Sequence, residues 1–352
     1  VKYALLVALV VGCGRFGFDE RGDASDSASD GLVGPTCTAT KIEGFNFGAA
    51  GITDLGAAKV DLGYSIGGVH GSSSLWGVHL DEQLVPDTPA PYQTSPVSGF
   101  TGTYTKASLF FDGTNLDGAL TIADGTMFIK TFATNMSGFS VAVQKPGEAG
   151  EPSVATANGN VTISTWFEDT VVRYVTLNPD GSPDATERIF TQNEPANVVW
   201  VSAGSSSSAV IAWELANGAC GIGALGAGLG VSLRTLAPSC RKPYVHGGSD
   251  LVVAFEDSGT IQIASVITST VPTIDVGIPV MFGMGSDVTV FRIGGNRWAA
   301  WRDSSRLHLS AVSAIADATI VNAPSGPPDA YAPAGPYLFA VWGADLWAIT
   351  CP

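Results

Sequence analysis

The chain has 352 residues with 17 basic and 32 acidic side chains, 43 glycines, 20 prolines and five cysteines. An apolar fraction of 45% against 14% charged residues excludes a long disordered protein and a coiled coil. The formal charge of −15 argues against phosphate backbones, which need a basic face, so no nucleic-acid partner is expected.

Residues 1–12, VKYALLVALVVG, carry one cation, Lys2, and then an apolar run from Ala4 to Val11. The run is far short of the roughly 20 residues that span a bilayer and fits the apolar stretch of an export signal. A leading Val points to a non-ATG start codon or a start placed too late. Cys13 follows Val10, Val11 and Gly12. This resembles a bacterial lipobox, in which a small residue precedes a cysteine that becomes the lipidated N-terminus. The resemblance implies a signal over 1–12, lipid on Cys13, and membrane contact through that lipid only. An ordinary signal peptide with an incidental cysteine is the other reading.

Residues 14–36 are small, polar and acidic, with Asp19, Glu20, Asp23, Asp26 and Asp30 against Arg15 and Arg21. Such a segment buries too little apolar surface to fold and reads as an extended tether after Cys13. The EF-hand ligand order and its closing Glu are missing. Gly14, with no Asp there, resembles the outer-membrane sorting class of lipoproteins, so the protein is expected on the outer membrane, periplasmic or surface-exposed.

From residue 37 short β-rich runs alternate with Gly, Ser, Asn and Asp clusters, which predicts an all-β chain. One unit recurs: an apolar strand ending in a large side chain, an acidic turn, and a second strand. Its clearest copies are LVVAFED (251–257) and RWAAWRD (297–303). AVIAWEL (209–215), VTISTWFED (161–169) and YLFAVWGAD (337–345) follow the pattern, with weaker copies at LWGVHLD (75–81) and ALTIAD (119–124). The shared position is then His79, Ile122, Trp166, Trp213, Phe255, Trp301 and Trp342, at spacings of 43, 44, 47, 42, 46 and 41. A period of 40–50 residues with several strands per unit is the signature of a β-propeller. The repeat resembles the generic VVAWxD unit of secreted bacterial propellers, which implies the fold and no functional residue. Seven blades over 37–352 are expected, with six as the alternative if 38–100 is irregular.

The last copy stops at Cys351 and Pro352 without an outer strand, so TATKIEGFNF (38–47) is expected to complete the last blade. With Cys13 lipidated, four cysteines remain and three pairings are possible. Cys37 with Cys351 as a ring clasp, and Cys220 with Cys240 as a local staple, is the favoured set.

The recurrent aromatics read as core between blades. Trp76, Trp298 and Trp347 differ in register and are better candidates for exposure, with packing on the other sheet face as the alternative for Trp298 and Trp347. The turn acids Asp81, Asp124, Asp169, Asp257, Asp303 and Asp345 read as turn formers, or as a carboxylate ring that attracts cations. His70 and His246 precede their repeat strands at similar places, which predicts both at the central channel. No histidine shows metal spacing, GxSxG is missing, and GIGALGAGLG (221–230) lacks a dinucleotide-binding context. The SxDxGxxW-type box of sialidases and the WD40 signature are missing too. No cofactor or metal and no catalytic residue is therefore assigned. The expected role is a monomeric binding or scaffold module for an envelope protein or glycan. The competing classes are a sialidase-like hydrolase or lyase at the channel mouth and a purely structural envelope protein.

Overall fold

The computed structural model describes residues 34–48, 51–70, 74–94, 209–225, 231–247, 251–268 and 274–352, together with strands between 104 and 203. The signal, Cys13 and nearly all of the tether lie outside these residues, as do Asp124 and Asp169. The compact unit runs from Gly34 to Pro352, and among the described residues it is all strand and turn.

Strand β1 (Thr36–Lys41) precedes the first sheet, of β2 (Ile52–Val60), β3 (Gly63–His70), β4 (Ser74–Leu80) and β5 (Tyr92–Thr94). The second holds β6 (Tyr104–Phe111), β7 (Leu116–Ile122), β8 (Met127–Phe132) and β9 (Phe139–Lys145). The third holds β10 (Ser153–Ala157), β11 (Val161–Glu168), β12 (Val171–Leu177) and β13 (Arg188–Thr191). The fourth holds β14 (Ala196–Ala203), β15 (Ala209–Leu215), β16 (Cys220–Leu225) and β17 (Val231–Ala237). The fifth holds β18 (Arg241–His246), β19 (Leu251–Asp257), β20 (Thr260–Thr268), β21 (Ile274–Val276) and β22 (Val280–Met284). The sixth holds β23 (Ser286–Ile293), β24 (Asn296–Arg302), β25 (Leu307–Ala311) and β26 (Ala316–Asp317). In the seventh, β27 (Thr319–Val321), β28 (Ala330–Ala334), β29 (Tyr337–Trp342) and β30 (Asp345–Thr350) are joined by β1 in the order β27-β1-β30-β29-β28.

β1 reaches the seventh sheet by antiparallel pairing with β30, from Thr38 opposite Thr350 to Lys41 opposite Trp347, and by parallel pairing with β27. The first strands follow one another in closed order: β2 lies against β6, β6 against β10, and so on through β14, β18, β23 and β28, which returns to β2.

Neighbouring sheets bury both faces of one another, which explains the near-continuous apolar runs. In β19, Leu251 and Val253 pack toward the fourth sheet, whereas Val252 and Ala254 pack toward the sixth. In β24, Trp298 and Ala300 turn to the seventh sheet and Ala299 and Trp301 to the fifth. Trp213, Phe255 and Trp301 are fully buried and Trp342 is half-buried. Ile122 and Trp166 stand on β7 and β11, the second strands of their sheets; their side chains lie outside the described residues. Trp298 takes the packed alternative and is buried.

The first copy of the repeat needs correction. LWGVHLD supplies β4, the third strand of its sheet, whereas LVVAFED supplies β19, a second strand. The true counterpart is β3, GYSIGGVH, whose Gly68 lies pressed under Ile52 and leaves no room for a side chain. With glycines, Gly67 and Gly68, where the other second strands carry a large side chain, the apolar–large–acid pattern matches β4 instead. His79 is accordingly a half-buried residue between Val78 and Leu80, not a core position, and Asp81 follows a third strand, whereas Asp257, Asp303 and Asp345 stand at the hairpins between second and third strands.

Candidate binding face

In each sheet the start of the first strand pairs with the end of the second, so the lead-ins to first strands and the hairpins between second and third strands share one end. Five first strands begin with a bulge at their second residue: β2, β6, β14, β18 and β23 all shift register there. A bulge re-aims a side chain. In β18 and β23 the residues concerned, Lys242 and Asp287, adopt left-handed backbone angles, with φ of 46° and 59°.

These two residues are the centre of a polar cluster that ties four sheets, the fourth to the seventh. Lys242 Nζ donates to Asp287 Oδ1, and Arg302 Nε and Nη2 hold Oδ2 at 2.9 and 2.8 Å. The remaining Arg302 nitrogen donates to the carbonyls of Pro328 and Asp329 at 2.8 and 2.7 Å. The Tyr331 hydroxyl donates to the Asp287 carbonyl, and the Lys242 N–H donates to Glu214 Oε2 at 2.8 Å. Burial pushes the Asp287 carboxyl up, but Lys242 and Arg302 outweigh it and leave the group below its ordinary value. Burial raises Glu256 against the opposing pull of Arg241 and Lys242. Burial also lifts the phenols of Tyr331 and of Tyr244, the latter to about 12.

Of the turn acids at this end, Asp303 and Asp257 bind within their own hairpins, whereas Asp345 binds residues in and after β1. Asp303 Oδ1 accepts the N–H groups of Ser305 and Arg306, at 2.6 and 2.9 Å, and the Ser305 hydroxyl. Asp257 accepts from Ser258 and Gln262, and Asp345 from Lys41 and Asn46. Asp81, at the far end, likewise accepts from the N–H groups of Gln83 and Val85.

The two histidines expected at similar places, His70 and His246, are not equivalent. His70 ends a second strand and stacks on Trp76 with ring centroids 3.5 Å apart. His246 ends a first strand, at the other end of the sheets, where burial, with Arg297 and Arg292 adding to it, lowers it to about 4. Among the described residues no group of three or more His, Cys, Asp or Glu gathers to hold a metal. A shallow cavity of about 220 Å³ opens on the fourth sheet beside Trp213, Leu215, Leu233, Arg234 and Thr235.

Cys37 is bonded to Cys351 and Cys220 to Cys240. Two disulfides fit an oxidising, exported environment. Lys242, Asp287, Arg302 and Tyr331 escaped the motif search because none sits in a recurring residue type. The signal that finds three of them is the period itself: Lys242, Asp287 and Tyr331 are spaced by 45 and 44 residues and are each the second residue of a first strand.

No protein-family model matches the chain, and none of the curated proteins does. Solved structures do resemble it. Raptor of Chaetomium thermophilum matches 89% of the chain at 10% identity with a TM-score of 0.57, and the chain spans only 29% of that protein's length. Sqt1 of Saccharomyces cerevisiae matches 91% of the chain at 10% identity with a TM-score of 0.51, over the whole of Sqt1. The SapL1 lectin, solved with α-methyl fucoside, matches 81% at 10% identity with a TM-score of 0.50, over its whole length. At that identity the likeness concerns the multi-sheet all-β fold alone.

Proposed function

We propose that this chain is an exported, outer-membrane lipoprotein, anchored through Cys13, whose folded unit is a seven-bladed β-propeller that binds a protein or glycan through its hairpin face. Each sheet is one blade, and β1 completes the last. The observation that carries this reading is the closed order of the first strands, secured by the β1–β30 pairing and the Cys37–Cys351 bond. Closure of this kind gathers the hairpins and lead-ins of every blade on one face, where loops vary without disturbing the core. The likeness to a lectin adds support for a glycan among the ligand classes.

The chemistry at the mouth favours binding over catalysis. Tyr331, Asp287 and Arg302 combine a phenol, a carboxylate and a guanidinium, the groups a sialidase-like reaction uses. Here the phenol donates to a carbonyl and burial disfavours its ionisation, whereas a nucleophile needs the opposite shift. The Asp287 carboxylate is held by two cations and so is not free to accept a proton.

The test is a screen of the full chain and its Cys13→Ser variant against a glycan array and purified envelope proteins. Saturable binding of one ligand class by both forms is expected, with the variant released from membranes. Turnover of a glycan substrate would favour the enzyme reading, and a variant that stays in the membrane fraction would remove the lipid anchor.

A further inference from the structure

Strand β22 runs along the outer edge of β20, and its pairing breaks in the middle. Val280 lies opposite Ile263, Met281 opposite Gln262, Gly283 opposite Ile261 and Met284 opposite Thr260, so Phe282 is the extra residue of a bulge. In an unbroken strand, residues three apart project from opposite faces. The bulge cancels one alternation. Met281 and Met284 therefore leave the same face of the sheet, beside Gln262 and Thr260, at the separation of alternate residues.

Phe282 turns the other way and meets Trp301 edge-on, with ring centroids 6.5 Å apart. The backbone under the two methionines is pinned at one end. Trp301 Nε1–H donates to the Met284 carbonyl at 3.1 Å, and the Gly285 N–H donates to the Gly259 carbonyl at 2.9 Å. Gly285 has φ of 150°, and a Cβ there would press on the Trp301 indole. Both methionine side chains nevertheless stay open to solvent, at 64% and 65% exposure. Methionine ordinarily fills gaps in a core; two of the chain's four stand outside it, side by side. On the same face Gln262 Nε2 donates to Asp257 Oδ2, which places a carboxylate nearby.

We propose that Met281 and Met284 form a two-thioether site for a soft monovalent cation, Cu(I) or Ag(I). Thioether sulfur is a neutral soft donor that selects such ions over hard ones. The four described cysteines are all in disulfides, so these thioethers are the accessible soft donors of this face. The Asp257 carboxylate adds favourable field for a cation. Three rotatable bonds in each side chain allow the sulfurs to converge on one ion without backbone movement.

The test uses the full chain with 13C-methyl methionine, titrated with silver nitrate in chloride-free buffer, then with Cu(I) under anaerobic reduction. Two of the four methyl resonances are expected to shift together and saturate at one equivalent. Met281→Leu and Met284→Leu, both solvent-facing, are each expected to weaken binding at least tenfold, because one thioether does not chelate. Zn(II) is expected to leave both methyls unmoved. Unchanged affinity in either single variant, equal response of all four methyls, or no shift at millimolar silver would overturn the site.

Discussion

Cys37 and Cys351 are bonded across 314 positions, whereas Cys220 and Cys240 are bonded across 20. The long bond joins the start of β1 to the residue just after β30, where the pairing of those strands already brings these segments together. In a chain-entropy account the long loop restrains the unfolded chain by up to ~5–6 kcal/mol and the short one by ~3 kcal/mol. Replacing Cys37 and Cys351 by Ser is therefore expected to cost about 2 kcal/mol more than replacing Cys220 and Cys240. Urea unfolding of the two double variants measures this; equal losses would show that loop length does not set the contribution of the clasp.

The His308 ring stands between two carboxylates, with Nε2 2.9 Å from Asp303 and Nδ1 3.0 Å from Asp317. A carboxylate accepts, so this pairing favours the imidazolium, which alone donates from both ring nitrogens. Asp317 raises the pKa most, burial opposes it, and Asp303 raises it again, leaving it above 6.5. The folded value thus exceeds the unfolded one, so the stabilisation is complete below about pH 6.5 and is lost as pH rises through the folded value. Asp303 runs the other way. Hydrogen bonds from Ser305, then His308, hold it well below 3.8, so its contribution is present above that pH and is lost as acid reaches the folded value. His308→Gln is expected to flatten the alkaline decline and leave stability near neutrality lower. Urea midpoints from pH 5 to 9 decide it, and a wild-type midpoint that does not move above pH 6.5 would refute the assignment.

Asp287 answers two cations at once and is mostly buried. Its removal leaves Lys242 and Arg302 facing each other without an anion. Asp287→Ala is expected to lose ~2–3 kcal/mol, more than Lys242→Ala, whose side chain is 54% exposed. A double-mutant cycle on Asp287 and Arg302 should return a coupling of about 1–3 kcal/mol. Additive losses would mean that the pair acts only as surface charge.

The Trp213 indole lies directly over Gly221, where any Cβ would overlap the ring. Gly221→Ala is expected to cost about 1–3 kcal/mol through overpacking, although Ala is the better strand residue in isolation. A thermal midpoint equal to wild type would mean that the indole moves aside freely.

Much of the architecture was legible because it depends on spacing. Five copies of one apolar unit recur at intervals that only a repeated sheet explains, and the structure places Trp213, Phe255, Trp301 and Trp342 on the second strands of successive sheets. The two weaker copies show the limit. ALTIAD does lie on a second strand, β7, but LWGVHLD slipped by one strand because glycines stand in β3 where its siblings carry a large side chain. Asp81 and Asp303 do accept N–H groups of their own turns, whereas Asp345 accepts from Lys41 and Asn46, a pairing that only the approach of β1 to β30 creates.

Composition and period by themselves determined an all-β chain, its repeat length, its aromatic core positions and four cysteines able to pair. These are local or periodic properties, written into each unit separately. Only the tertiary structure decided that Lys242, Asp287 and Arg302 meet, that His70 and His246 part to opposite ends, and that Met281 and Met284 share a face. The first two depend on which strand ends adjoin across sheets. The third depends on one unpaired residue, Phe282, whose bulge is a product of pairing with β20 and has no trace in the order of residues alone.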